Sequence, residues 1–217
     1  MTKSISDLLS NKRLDGYKGA SNNGLDILLH RYNYNIELGN EFYPLLSIFE
    51  VAFRNSLHKA WSTSLNDTAW LLNYANHSFL GLREKTKIQN AIAELTEKSK
   101  PLEEGRIIAE LTLGFWVSLF DRPFIEINKK IIKDLFPNAS NKQRDIFVIK
   151  DQLADIRNLR NRVFHHEPIW YWTNLNDFVS NLKNYIEWMN KDLMLPRVQK
   201  CEANLRQLID RQSAMLK

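Results

Sequence analysis

A chain of 217 residues, 44% of them hydrophobic, can bury a substantial core, and a net charge of +5 makes it only mildly basic. Seven glycines and six prolines disfavour an all-β fold with many tight turns, and no run of about 18 uncharged apolar residues is present to span a bilayer. The single cysteine, Cys201, excludes an internal disulfide and a cysteine-based zinc site, and it fits a reducing, cytoplasmic setting. Met1–Asp7 carries no apolar stretch of the signal-peptide kind. The charge alone does not separate a nucleic-acid partner from an ordinary solvated surface.

Apolar residues recur at intervals of three and four along most of the chain, which predicts helices throughout. A short first helix is expected over Ser4 to Arg13. Asp15 to Gly24, rich in Gly, Ser and Asn, reads as a loop. A helix follows from Leu25 to about Leu38, stopped by Gly39. The next runs from Asn40 or Glu41 to about Ser64, with Pro44 in its first turn; Leu45, Ile48, Phe49, Ala52, Phe53, Leu57 and Trp61 form its core stripe. Arg83 to Lys98 is helical, and Glu103 to Phe120 is expected as one strongly apolar, central helix. Arg122-Pro123 breaks the pattern, Phe124 to Leu135 resumes it, and Pro137-Asn138 breaks it again. Asn141 to His166 reads as one long helix ended by Pro168. Two further helices, near Asn176–Met194 and Arg197–Leu216, close the chain. No repeat or linker divides it. A single domain over 1–217 is expected, with a loop-rich segment 1–24 and the helix of 196–217 as an extension.

The chemistry concentrates near the end of the long helix, in Arg160-Asn161-Arg162-Val163-Phe164-His165-His166. Ile146, Ile149, Leu153, Ile156, Arg160 and Val163 follow the spacing of a core seam, so Arg160 occupies a position where Leu or Ile would be expected. A guanidinium stays charged, so it either meets an acid such as Glu50 or opens onto a cleft that receives a phosphate, which its planar fork suits. Asn161 and His165 stack on one side of the helix, and Arg157 extends that row. The histidines fall in the last turn, as a general base or acid near neutral pH or as simple helix-end caps. No H-x-x-x-H or H-E-x-x-H pattern, phosphate-cradling glycine loop or G-x-S-x-G elbow is present, so neither a metal nor a cofactor is expected.

The string Arg157-Asn158-Leu159-Arg160-Asn161-Arg162-Val163-Phe164-His165-His166-Glu167-Pro168-Ile169 resembles the signature of the Abi-like proteins, bacterial abortive-infection proteins of the AbiD/AbiF type within the HEPN superfamily. Phe49-Glu50-Val51-Ala52-Phe53-Arg54-Asn55 is similar to that family's early E-x-x-x-R-N helix. Leu111-Thr112-Leu113-Gly114-Phe115-Trp116 is similar to its L-T-x-G-F-W segment. The likeness runs from about Leu25 to Trp188.

The resemblance implies an all-α, HEPN-type helical bundle with additional helices. It also implies a metal-independent endoribonuclease that acts in phage defence or as the toxin of a toxin–antitoxin system. Some relatives are restrained by an antitoxin protein or a structured non-coding RNA. Arg160, Asn161 and His165 are then the catalytic candidates and His166 a possible second acid or base, with Arg157, Arg162, Glu50 and Arg54 binding RNA or supporting the site. On a regular helix Arg160 and His165 point roughly 140° apart. Either a distorted last turn brings them together, or two copies of the helix build one site across a two-fold axis. The resemblance favours the second answer, a homodimer. The superfamily also has non-catalytic members, so an RNA-binding or antitoxin-regulated interaction module on the same scaffold is the alternative. Arg54-Asn55-Ser56-Leu57-His58 has too short an interval to be a second motif and reads as structural.

Overall fold

The computed structural model describes residues 8–20 and 24–212, so Ser4–Asp7 of the expected first helix and the end of the last one lie outside the described residues. Among these residues the protein is all-α, with no strand. The α-helices are α1 (Asn11–Asp15), α2 (Leu25–Leu65), α3 (Leu82–Glu97), α4 (Glu104–Glu110), α5 (Leu113–Ser118), α6 (Ile125–Leu135), α7 (Ile146–Phe164), α8 (Leu175–Met189) and α9 (Pro196–Asp210). None is long and apolar enough to cross a membrane.

Two compact units form. The first draws on the described residues of Met1–Ile48, Asn158–Asn184 and Asp192–Lys217, and the second on Phe49–Arg157 and Tyr185–Lys191. Helices α2, α7 and α8 each contribute residues to both.

In the first unit, Leu38, Phe42, Leu45 and Leu46 of α2 are fully buried, as are Leu175, Val179 and Leu182 of α8 and Cys201 and Leu205 of α9. Polar ties reach over long sequence separations. The Tyr34 hydroxyl donates to the Leu208 carbonyl (2.9 Å), and the Gln212 amide donates to the carbonyls of Trp170 and Trp172 (2.7 Å each). Arg31 is 2% exposed, lies 4.8 Å from the Trp170 ring and donates to the Tyr17 carbonyl (3.2 Å). A side chain at Gly19 would stand 2.7 Å from the Arg31 guanidinium, so that close approach requires glycine.

The second unit packs around aromatic rings. Phe49, Phe53, Trp61, Trp70, Phe115, Trp116, Phe120 and Phe136 are all fully buried. Asn128 is equally buried and satisfied on both sides: its carbonyl oxygen accepts from Trp61 Nε1 (3.1 Å) and its amide donates to the Leu119 carbonyl (2.6 Å). Such pairing is what allows an amide into an apolar core.

Three expected boundaries need correction. Gly39 does not stop a helix, because α2 runs unbroken through it and through Pro44. A helical glycine costs only about 1 kcal/mol relative to alanine, and here its bare face lies against Val163, whose Cγ1 would be 3.9 Å from a Cβ at that position. The expected central helix is two, α4 and α5, parted where Leu111 and Thr112 are extended. The break lets every residue from Phe115 to Phe120 be buried, which a one-faced helix could not do. The long helix is also interrupted. Asn141–Arg144 is a separate 3₁₀ turn, and α7 starts after Asp145, whose carboxylate accepts from the backbone N–H of Phe147 (2.9 Å) and Val148 (3.2 Å).

Asp145 thus satisfies amides that a helix start leaves without partners. Asp145→Ala should lower unfolding free energy by about 1 kcal/mol. Urea denaturation checks this, and Asp145→Asn, which keeps the acceptor, should recover most of the loss.

Candidate functional site

Helix α7 ends at Phe164, two residues earlier than its apolar pattern suggests, so the two histidines lie outside the regular helix. The His166 N–H donates to the Val163 carbonyl (3.2 Å) and the Glu167 N–H to the Arg162 carbonyl (2.7 Å). His166 has φ 55°. Crossed hydrogen bonds around one left-handed residue are the Schellman way of closing a helix, and the left-handed position is normally glycine. A side chain there costs about 1–2 kcal/mol. His165 N–H still donates to the Asn161 carbonyl (2.9 Å), so His165 is the last residue tied to the helix. Both histidines are exposed.

The turn is held from three sides within the first unit. Arg13 of α1 donates to the His166 carbonyl (2.6 Å). Arg162 donates to the Pro168 carbonyl (3.1 Å), has a Glu167 carboxylate oxygen 3.8 Å away and lies 5.3 Å from the Trp172 ring. Asn35 of α2, 7% exposed, accepts from the N–H groups of Ile169 (2.7 Å) and Trp170 (3.1 Å) and donates to the Glu167 carbonyl (3.4 Å). Trp170 Nε1 donates to the Gly16 carbonyl (3.0 Å), and a side chain at Gly16 would meet Pro168 at 2.8 Å. The N-terminal segment, in which the sequence shows no motif, therefore fastens the turn. Asn35, Arg13 and Trp170 were missed because each acts through backbone groups far away in sequence. An N-terminal basic residue and a mid-helix asparagine have no spacing that marks such a role.

Arg160 is half-buried, and its guanidinium carbon lies 4.4 Å from the Phe164 ring centroid. The core seam therefore does not pass through it. Leu159, fully buried, continues the line of Ile149, Leu153 and Ile156. Burying leucine instead of a guanidinium avoids the desolvation cost of a charge. Phe164 also stacks on Tyr43 of α2, with centroids 5.4 Å apart and planes 26° apart. Asn161 is exposed, one turn before His165. Arg160, Asn161, Arg162, His165 and His166 thus stand together in the first unit.

Glu50, Arg54 and Arg157 belong to the second unit. Glu50 is half-buried. Arg54 donates to the Ala109 carbonyl (3.4 Å), while its buried Nε has no hydrogen-bond partner. His58 pairs through Nε2 with the Glu104 carboxylate (2.8 Å), which also accepts from the N–H groups of Leu71 (2.9 Å) and Leu72 (3.1 Å). Of the Arg54–His58 segment only Leu57 is fully buried, and Arg54 and His58 are half-buried and held by these bonds. Arg157 passes over Gly114, where its Cδ would lie 3.8 Å from an added Cβ. Burial, reinforced by the charges of Arg83 and Arg157, holds Lys87 below the usual ammonium range.

Among the described residues, no group of three or more His, Cys, Asp or Glu side chains is placed to hold a metal ion. No protein-family model, curated protein or solved structure matches the chain.

The left-handed turn has a direct stability signature. His166→Gly relieves about 1–2 kcal/mol of strain against roughly 0.5–1 kcal/mol of added chain entropy, so it should be as stable as the parent or more so. His166→Val, β-branched where φ is positive, should lose a further 1–2 kcal/mol or so. Equal denaturation midpoints for the two variants would show that the turn does not form in solution.

Proposed function

We propose that the protein is a metal-independent endoribonuclease of the HEPN type, an Abi-like protein acting in abortive infection, phage defence or a toxin–antitoxin pair in the cytoplasm. The observation that carries this reading is the pairing of a half-buried Arg160 with two exposed histidines at a clamped helix end. A strained conformation held by Arg13, Arg162 and Asn35 is a costly way to end a helix unless its side chains are needed where they stand.

The reaction uses RNA's own 2′-hydroxyl as nucleophile, and so requires no metal-bound water. A base removes the 2′-OH proton, O2′ bonds to the adjacent phosphorus, the P–O5′ bond breaks, and an acid protonates O5′. The products are a 2′,3′-cyclic phosphate and a 5′-hydroxyl. His165 is assigned the proton transfer, with His166 as the second acid or base. Arg160 neutralises the charge growing on the phosphoryl oxygens, and Asn161 orients an imidazole or a phosphate oxygen. Arg162 supports the turn. Helical geometry separates Arg160 from His165, so the complete site is assigned to a homodimer in which two motifs face each other. An antitoxin protein or structured RNA would restrain it.

Cleavage of single-stranded RNA should persist in EDTA and leave cyclic-phosphate ends. His165→Ala should lower the rate on the order of 10²–10⁴-fold with the fold intact, and Arg160→Lys should stay largely inactive because it keeps the charge but loses the fork. End-group analysis and a thermal melt of each variant decide the matter. Unchanged cleavage in His165→Ala and Arg160→Ala, or 3′-hydroxyl products only with Mg²⁺, would overturn the assignment. RNA binding without cleavage by the parent would select the non-catalytic module instead.

Sedimentation should show a dimer at micromolar concentration. A monomer that cleaves RNA at full rate would remove the composite site.

A further inference from the structure

Beside the histidine turn, the first unit contains a cavity of about 550 Å³, within the range of small-molecule sites (about 300–1,000 Å³). Its walls have two characters. Tyr43 and Phe164 form a stacked aromatic pair, and Tyr43 is 55% exposed although it is a large ring. Tyr17, Tyr32, Asn40 and Glu167 supply hydrogen-bonding groups along the rest of the lining. Gly39 brings backbone rather than a side chain to the wall. Pro44 has no N–H, so the Asn40 carbonyl lacks the helical donor it would otherwise have. Burial pushes the Tyr17 phenol up to about 12.

The guanidinium is outside the aromatic wall rather than within it. Arg160 rests on Phe164, the same ring that stacks on Tyr43, and His166 forms part of the lining. A flat aromatic surface, donors and acceptors around an edge, and a guanidinium next to the aromatic pair match the three parts of a nucleotide. Unpaired bases are recognised by stacking on aromatic rings and by hydrogen bonds to their Watson–Crick edges, while in duplex RNA the faces are stacked and those edges are paired.

From this geometry we infer that the cavity is a nucleobase subsite: it takes one unstacked base of single-stranded RNA against Tyr43, with the attached phosphate directed to Arg160 and the histidines. The inference rests on the ribonuclease reading and deepens it. It makes Tyr43 the principal base-binding residue. Asn40, which can donate or accept, and Glu167 read the edge of the base, and the Glu167 carboxylate, an acceptor only, favours one that carries an amino group.

The test is a binding measurement that needs no cleavage. His165→Ala protein is titrated by fluorescence anisotropy with a labelled cytidine- and adenosine-containing single strand, and with an abasic ribose-phosphate strand of equal length. The base-bearing strand should bind roughly tenfold tighter or more, and Tyr43→Leu, which keeps apolar cover on Phe164 but removes the π face, should erase that difference. Tyr43→Trp should retain it. Equal affinity for the two strands, survival of the preference in a folded Tyr43→Leu protein, or no binding of either strand would overturn the subsite. Cleavage by the parent together with equal affinities would reject the subsite alone. A Tyr43-dependent base preference in a protein that never cleaves would reject the nuclease reading and leave the subsite standing.

Discussion

The left-handed residue at the end of α7 is the constraint on which the candidate site depends. Two crossed hydrogen bonds close the helix around His166 and turn the chain away before Pro168. The cost of a β-carbon in that conformation is met by groups brought from elsewhere in the first unit: Arg13 on the His166 carbonyl, Arg162 on the Pro168 carbonyl and Asn35 on the chain beyond. Asn35 is the most exacting of these, because losing it would strand two backbone N–H groups at a buried position. The exposed imidazoles are therefore mounted on a turn with few degrees of freedom. That is the condition under which a proton-transfer group can be held near its optimum geometry.

Phe164 joins the turn to its surroundings in a different way. Its ring supports the guanidinium of Arg160 and stacks on Tyr43, so one side chain positions the cation and one wall of the neighbouring cavity together. A guanidinium resting on an aromatic face has its orientation restricted. The candidate-site residues of the first unit thus form one connected set, running from the turn to the cavity.

The second unit relies on internal satisfaction of polar groups. Asn128 answers Trp61 and Leu119, and the Glu104 carboxylate serves His58 and two backbone amides. These pairings explain how asparagine, histidine and glutamate enter a core built from large aromatics without an electrostatic penalty large enough to unfold it. They also account for Arg54-Asn55-Ser56-Leu57-His58, a string that looks like a displaced motif in the sequence and is engaged in packing in the structure.

Periodicity alone determined that the chain is helical, which faces are apolar and where the polar motif lies, because three- and four-residue spacing is a local property that any helix must obey. It located Leu82–Glu97 and Ile125–Leu135 to within a residue or two. Tertiary structure decided what local spacing cannot encode. Gly39 lies inside a helix with Val163 beside it, and whether Leu159 or Arg160 continues the seam depends on which side chain can be dehydrated at lower cost. The breaks at Leu111-Thr112 and at Asp145 depend on core packing and a capping carboxylate, for which an apolar count has no term. The His166 carbonyl is met by Arg13, 153 residues earlier in the chain. A hydrogen bond to a backbone carbonyl leaves no pattern in sequence, because every residue carries the same acceptor and only the folded chain selects which one is met.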